Sequence, residues 1–295
     1  MFKDELKKYV ETSGLVSMKE CGNGIYVLKY KKKVFYDNLW NDYIEECRGT
    51  IVDSDFNIVS RPFTKIYNYG IESKAPKLDH NVPIDVYRKV NGFMVAVTWH
   101  NGDILVSTTG STDSDYVKMA RELIDVGVYR KVCQEWYNTT FMFECVHRND
   151  PHIIPEKEGM YLLGYRTKDW SSHVSVDSKL LKMLGIQFGT LPVEHYRMTV
   201  GEMLETVKTV KHEGYVFYTA DGTSAKVKSP YYLTSKWVAR NPRTDKLVDL
   251  NKDIKHNIDE EYYGLIDAIR LNIEAYTAMN EQERLEWVRK YLETV

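Results

Sequence analysis

Residues 86–97 read VYRKVNGFMVAV, and the way this stretch folds decides how the rest of the chain can be organised. Two apolar, strand-like runs flank an Asn-Gly pair, which supplies the positive φ angles of a tight two-residue hairpin turn. A second pair, Asn101-Gly102, follows closely, so hairpin turns are expected at both places. Lys89 stands just ahead of the first pair. Such a lysine is either a solvated turn residue or a group presented for a reaction, and the surrounding sequence has to separate the two.

Outward from this window the pattern stays that of antiparallel strands. Runs 84–90, 93–99 and 103–109 alternate, and residues 15–61 show short alternating segments broken by Gly22-Asn23-Gly24 and Asp53-Ser54-Asp55. Helical period opens the chain in MFKDELKKYVET. It returns after Ser114-Asp115 in DYVKMARELIDVGVYRKVCQEW, which predicts one helix laid on the sheet. Strand-like FMFECVH (141–147) and MYLLGYR (160–166) follow, then helical segments near 176–184 and 199–210. The second of these opens with Thr199 and Glu202 at capping-box spacing. GYVFYTADGTSAKVKS (214–229) reads as strand, Asp-Gly turn, strand. From about residue 258 the period is helical, with Asn280 and Glu283 placed to cap a last helix. The expected fold class is α+β: an antiparallel-sheet body over residues 1–245 and a small all-helical C-terminal unit over 246–295.

Composition narrows the function. Lys and Arg total 40 against 42 Asp and Glu in 295 residues, so a polyanionic partner must be held by a local basic patch. The four cysteines, Cys21, Cys47, Cys133 and Cys145, form no CxxC and read as reduced, packed thiols. The N-terminus lacks the apolar core of a signal peptide, and no stretch reaches the length of a membrane span. The expected location is the cytoplasm, the host's if the chain is virus-encoded, with no membrane partner; the oligomeric state is left open.

Several strand contexts hold residues that a plain core would not choose. Glu46-Cys47-Arg48-Gly49 opens one strand, and Arg61-Pro62-Phe63-Thr64-Lys65 adds two cations downstream. Glu144 lies in FMFECV, where Met142 and Val146 share its face and are apolar, as on the wall of a cleft. Glu213-Gly214 precedes an apolar strand that returns through Lys226 and Lys228. Two lysines at i and i+2 point to one side of a strand, and like charges there repel unless an anion fills the space between them. Each motif alone also fits a solvated strand end.

Taken in order, Lys89-x-Asn91-Gly92, the Glu144 strand, the Tyr161–Arg166 strand, Glu213-Gly214-Tyr215-Val216 and Lys226-x-Lys228 resemble motifs I, III, IIIa, IV and V of the covalent nucleotidyltransferases. That superfamily comprises the ATP-dependent ligases and mRNA capping enzymes. The two upstream segments are similar to those preceding the active lysine in phage-type ATP-dependent RNA ligases of the tRNA-repair kind. Together the similarity covers roughly residues 40 to 240.

The resemblance implies an enzyme that uses ATP with Mg²⁺ or Mn²⁺ and joins the 5′-phosphate and 3′-hydroxyl ends of RNA. Its partner would be single-stranded or nicked structured RNA, with tRNA among the candidates. Lys89 would attack the α-phosphorus of ATP, its pKa lowered by burial and by Arg48, Lys65, Lys226 and Lys228. Glu144 would bond the ribose, and Gly92 would let the backbone approach it. Lys226 and Lys228 would grip the α-phosphate, and Arg48 and Lys65 would face the β- and γ-phosphates. Glu213 would orient hydrated metal. Tyr67 is a candidate to stack on nucleotide or substrate, against plain packing at a strand end.

Two positions depart from the pattern. Asn91 stands where most such ligases carry Asp, and Thr108-Thr109 stands where the phage enzymes have lysines before Gly110, so a phosphate contact is missing or supplied from elsewhere. His147 and Arg148 either reach RNA or form a solvated loop. After Ser229 too little strand remains for the OB-fold of DNA ligases and capping enzymes, which favours RNA ligase. The alternatives kept are a GTP-using guanylyltransferase, a non-catalytic RNA-binding module on a ligase fold, and DNA joining.

Overall fold

A computed structural model of the chain describes residues 2–240 and 263–293. Helix α1 (Phe2–Thr12) buries Leu6 and Val10 against the first sheet. That sheet is antiparallel, with β1 (Val16–Glu20), β2 (Ile25–Tyr30), β3 (Arg48–Asp53) and β4 (Ile58–Ser60) in sequence order. Between β2 and β3 run two short helices, α2 (Lys32–Tyr36) and α3 (Asp42–Glu46), where only strands were expected. Each has five residues, too few to show a helical period, although Asn41 caps α3 by accepting the Ile44 N–H at 3.0 Å.

The second sheet has five strands. β6 (Pro83–Arg88) lies between β11 (His195–Thr199) and β12 (Gly214–Tyr218), followed by β13 (Ser224–Lys228) and the short β5 (Tyr67–Asn68), which runs parallel to β13. The third sheet orders β10 (Gly159–Thr167), β9 (Thr139–Val146), β7 (Phe93–His100) and β8 (Asp103–Ser107). So β6 and β7 do not pair with each other, and residues 89–92 carry the chain from one sheet to the next. The hairpin expected at Asn91-Gly92 is therefore a crossover, and neither residue has a positive φ. The hairpin expected at Asn101-Gly102 is present: φ is +50° and +84°, and His100 pairs with Asp103.

Helices α4 (Asp115–Leu123) and α5 (Val126–Glu135) replace the single helix predicted over this region. Ile124 is extended, and the Asp125 side chain accepts the Val128 N–H at 3.1 Å, so a new N-cap restarts the helix. With α6 (Ser178–Phe188) they cover one face of the third sheet and bury Val95, Val97, Phe141, Phe143 and Phe188 in the main core. Each such side chain contributes about 1.5–3 kcal/mol by leaving water. Helix α7 (Val200–Thr206) has the capping box that Thr199 and Glu202 predict and packs Val200 and Met203 on the second sheet.

Helices α8 (Pro230–Arg240), α9 (Tyr263–Leu271), α10 (Ile273–Ala278) and α11 (Glu281–Glu293) form a separate apolar cluster that includes Ile153 and Ile154 of the body. The expected boundary at 245/246 lies outside the described residues; within them, α8 already packs with the later helices. Asn280 and Glu283 cap α11 reciprocally, at 2.8 and 3.0 Å. No helix among the described residues is long and apolar enough to cross a membrane. All four cysteines are free, and burial pushes the Cys47, Cys133 and Cys145 thiols up to about 12.

Candidate active site

The crossover at residues 89–92 opens into a cleft between the second and third sheets. Lys89 of the crossover lines it with Arg48 of β3, Met94 of β7, Glu144 of β9, Val216 of β12 and Lys226 of β13. Lys89 is fixed at its backbone, where its N–H donates to the Gly214 carbonyl at 2.9 Å. Its ammonium donates to Glu213 Oε2 at 3.0 Å. Gly214 follows Glu213 with φ +130°, and a Cβ there would lie 2.1 Å from the Val227 carbonyl oxygen. Only glycine lets β12 start so close to β13, and that contact sets Glu213 beside Lys228.

Glu144 projects from the cleft side of β9, opposite Phe143 and Cys145, and is buried. Its Oε1 accepts the Gly92 N–H at 3.1 Å. A Cβ on Gly92 would stand 2.2 Å from the Cys145 carbonyl oxygen. Gly92 thus allows the crossover to touch β9 and hold Glu144.

The charges are unequally satisfied. Glu213 shares its other oxygen with Lys228 at 3.4 Å, and the Lys228 ammonium also lies 4.8 Å from the Tyr232 ring centre. Lys226 makes no side-chain hydrogen bond or ion pair among the described residues, nor does Arg48. Burial, helped by Lys65, Arg48, Lys228 and Lys89, pulls Lys226 down to about 7. Lys228 is lowered as well, by burial first. These are the two lysines at i and i+2, and their convergence is as the spacing predicts.

Lys89 itself is shifted the other way. Burial draws its pKa down, but the Glu144 and Glu213 carboxylates outweigh that, and the ammonium is held above the ordinary lysine value. The expected lowering is not found, because the attraction of two carboxylates outweighs the cost of burial. Glu144 is raised by its burial, with Lys89 acting against it.

Two other expected contacts are already occupied. Lys65 pairs with Glu72 at 2.6 Å and lies 4.8 Å from the Trp40 ring centre and 5.2 Å from that of Tyr67. It contributes field at Lys226 but does not present a free ammonium for the β- and γ-phosphates. Tyr67 packs with Val34, Trp40 and Ile44 and donates its hydroxyl to Glu45 at 2.6 Å. Arg61 is a fold residue: with Arg166 it clamps buried Glu46, at 2.6 and 2.9 Å. His147 is buried, accepts the Asn149 N–H at Nδ1 and meets Glu122 through Nε2 at 3.1 Å, while exposed Arg148 pairs with Glu158.

The apolar side of the cleft was not legible from sequence. Phe63, Tyr87, Leu163, Val193 and Tyr218 line it and offer a surface for a planar base. As isolated apolar residues they carry no signal, apart from the irregular pairing between Leu162 and Gly164 that turns Leu163 out of the β10 ladder. Among the described residues no group of three or more His, Cys, Asp or Glu could hold a metal ion. Glu213, the residue expected to orient metal, is the carboxylate beside Lys89 and Lys228, and a cation there would need ligands besides protein carboxylates.

A profile of the RNA ligase family matches residues 46–232, more than half of the chain. The chain is 22% identical over 304 aligned positions to a protein described as a bifunctional polynucleotide kinase/RNA ligase of Autographa californica nuclear polyhedrosis virus, covering 93% of this chain and 40% of that one. It is 28% identical over 136 residues to RNA ligase 1 of bacteriophage TS2126, covering 41% of this chain and 34% of the other. It therefore spans two fifths or less of the length of these curated relatives. Among solved structures, an archaeal ATP-dependent RNA ligase superposes with a TM-score of 0.58 at 16% identity, over 97% of this chain and 75% of that one. This likeness is one of fold, the nucleotidyltransferase fold.

Proposed function

Since the chain belongs to the RNA ligase family, we propose that it is an ATP-dependent RNA ligase working through a covalent lysyl-AMP on Lys89. The observation that carries the proposal is Lys89 at the mouth of a cleft, 3.0 Å from Glu213 Oε2, together with a Lys226 ammonium that has no carboxylate partner among the described residues. An unpaired cation held at low pKa is unfavourable alone and becomes favourable when an anion arrives.

Three steps follow. The Lys89 amine attacks the α-phosphorus of ATP, the N–P bond forms and pyrophosphate leaves. An RNA 5′-phosphate oxygen then attacks the same phosphorus and displaces Lys89, which gives an RNA-adenylate. Last, an RNA 3′-hydroxyl attacks the 5′-phosphate and AMP leaves. Lys226 and Lys228 stabilise charge on the α-phosphate as it grows, and Arg48 lies at the same end. Lys89 rests as an ammonium, so it must lose a proton before it attacks. Glu213, which accepts from the Lys89 ammonium at 3.0 Å, and Glu144 are the carboxylates that hold that proton. Glu213 would hold Mg²⁺ or Mn²⁺, which would supply further neutralisation of the triphosphate.

The proposed substrates are single-stranded or nicked structured RNA ends, tRNA included. The test is to incubate the protein with ATP, Mg²⁺ and a 5′-phosphorylated RNA. Conversion to a circle or joined product with one AMP per seal is the expected result. Product from a DNA 3′-hydroxyl at an equal rate would count against RNA selectivity, and product with GTP alone would favour the guanylyltransferase alternative.

A further inference from the structure

The surface leading to the phosphate end of the cleft carries more cations and exposed aromatic rings than the chemistry in the cleft uses. Lys29, next to the last residue of β2, lies directly across the ladder from Arg48 on β3. Like charges opposed in this way repel unless an anion lies between them. The Lys29 ammonium reaches the loop at Gly110, where a Cβ on that glycine would stand 3.1 Å away. This is the loop where the sequence has Thr108-Thr109 in place of lysines, so Lys29 brings a cation to that place from a neighbouring strand. Its side chain is exposed, with no hydrogen bond or ion pair among the described residues.

The next residues continue the pattern. Lys31, Lys32 and Lys33 are all exposed, and of these only Lys33 has a carboxylate partner among the described residues, Asp37 at 2.6 Å. Helix α2 is anchored by the buried Val34 and turns Phe35 and Tyr36 outward, 58% and 75% exposed. The two rings meet edge to face at 5.8 Å, and Phe35 lies 5.9 Å from the Lys65 ammonium. Through Lys65, a neighbour of Lys226, α2 borders the cation cluster of the cleft.

We propose that Lys29, Lys31, Lys32, Phe35 and Tyr36 form the docking track for single-stranded RNA, the lysines on phosphates and the two rings on bases. The inference deepens the ligase reading and rests on it. A polyanion is the complement of this lysine run in a chain of net charge −2. Exposed rings beside it select unpaired bases, because only those offer a face to stack on.

The test uses the full chain with Tyr36→Ala and Lys32→Glu, neither of which touches the cleft, and a fluorescent single-stranded RNA titrated at several salt concentrations. Tyr36→Ala should weaken binding by about tenfold with the salt slope unchanged, the loss of one base stack. Lys32→Glu should lower the slope of log affinity against log salt by roughly 0.7 or more. A blunt RNA duplex should feel Lys32→Glu and ignore Tyr36→Ala. Both variants should still take label from ATP at the wild-type level, which shows that fold and nucleotide site are intact. Normal labelling with unchanged RNA affinity and salt slope in both variants overturns the track. Failure of the wild-type protein to label overturns the ligase reading instead.

Discussion

At Asn101-Gly102 both residues take positive φ, the chain reverses between β7 and β8, and a Cβ on Gly102 would meet nothing within 4 Å. At Asn91-Gly92 the same dipeptide takes no positive φ, joins strands of different sheets, and lies so close to β9 that a Cβ would stand 2.2 Å from a carbonyl oxygen. Asn101 is exposed, whereas Asn91 is buried with an amide nitrogen that has no hydrogen-bond partner among the described residues. The first pair serves the path of the chain, and the second positions Lys89 and Glu144. A turn dipeptide permits a reversal, and the strands' hydrogen-bond partners decide whether one occurs.

Alanine at the two glycines is the sharpest way to break this contrast. Gly92→Ala forces backbone against backbone and is expected to destabilise the fold by about 3 kcal/mol or more. Because Glu144 moves with it, ATP labelling of the surviving folded protein should fall at least about tenfold. Urea unfolding followed by a labelling assay reads both. A loss no larger than that of Gly102→Ala would mean that the crossover does not depend on close approach.

A smaller effect is expected on the wall facing the crossover. Lys226, pulled down to about 7, is charged below that pH and neutral above it. Its hold on the phosphate of AMP should therefore weaken as pH rises from 7, by up to about tenfold per unit. Lys226→Arg stays charged and should bind with no such dependence, and comparing the two proteins cancels the ionisation of the ligand itself. Parallel pH profiles for both would remove Lys226 from the phosphate site. The least effect belongs to Gly102→Ala, about 1–2 kcal/mol for an L-residue in the left-handed region, with labelling unchanged. A loss of label there would show that the hairpin also supports the site.

What could be read from the sequence was local. Strand alternation located Glu144 and Glu213, the i, i+2 spacing placed Lys226 and Lys228 on one face, and the capping pairs at Thr199 and Asn280 marked helix starts. What depended on distant partners was hidden. Glu45 occupies the Tyr67 hydroxyl and Glu72 the Lys65 ammonium, so two residues expected at the nucleotide are tied to the frame around it. Arg61 fits a solvated strand end until Glu46, 15 positions before it, draws it and Arg166 into the core. The direction of the Lys89 shift was hidden for the same reason, since it is set by carboxylates 55 and 124 positions along the chain.

The most direct measurement is to incubate the protein with α-labelled ATP and Mg²⁺, denature it, and map the label, with excess GTP and Lys89→Ala alongside. Freshly purified protein is first weighed for AMP already attached. Acid-labile label on the peptide that holds Lys89, undiminished by GTP and absent from Lys89→Ala, is the expected result. Label on a peptide without Lys89, or wild-type protein that carries neither label nor AMP mass, contradicts the assignment of Lys89 as the nucleophile.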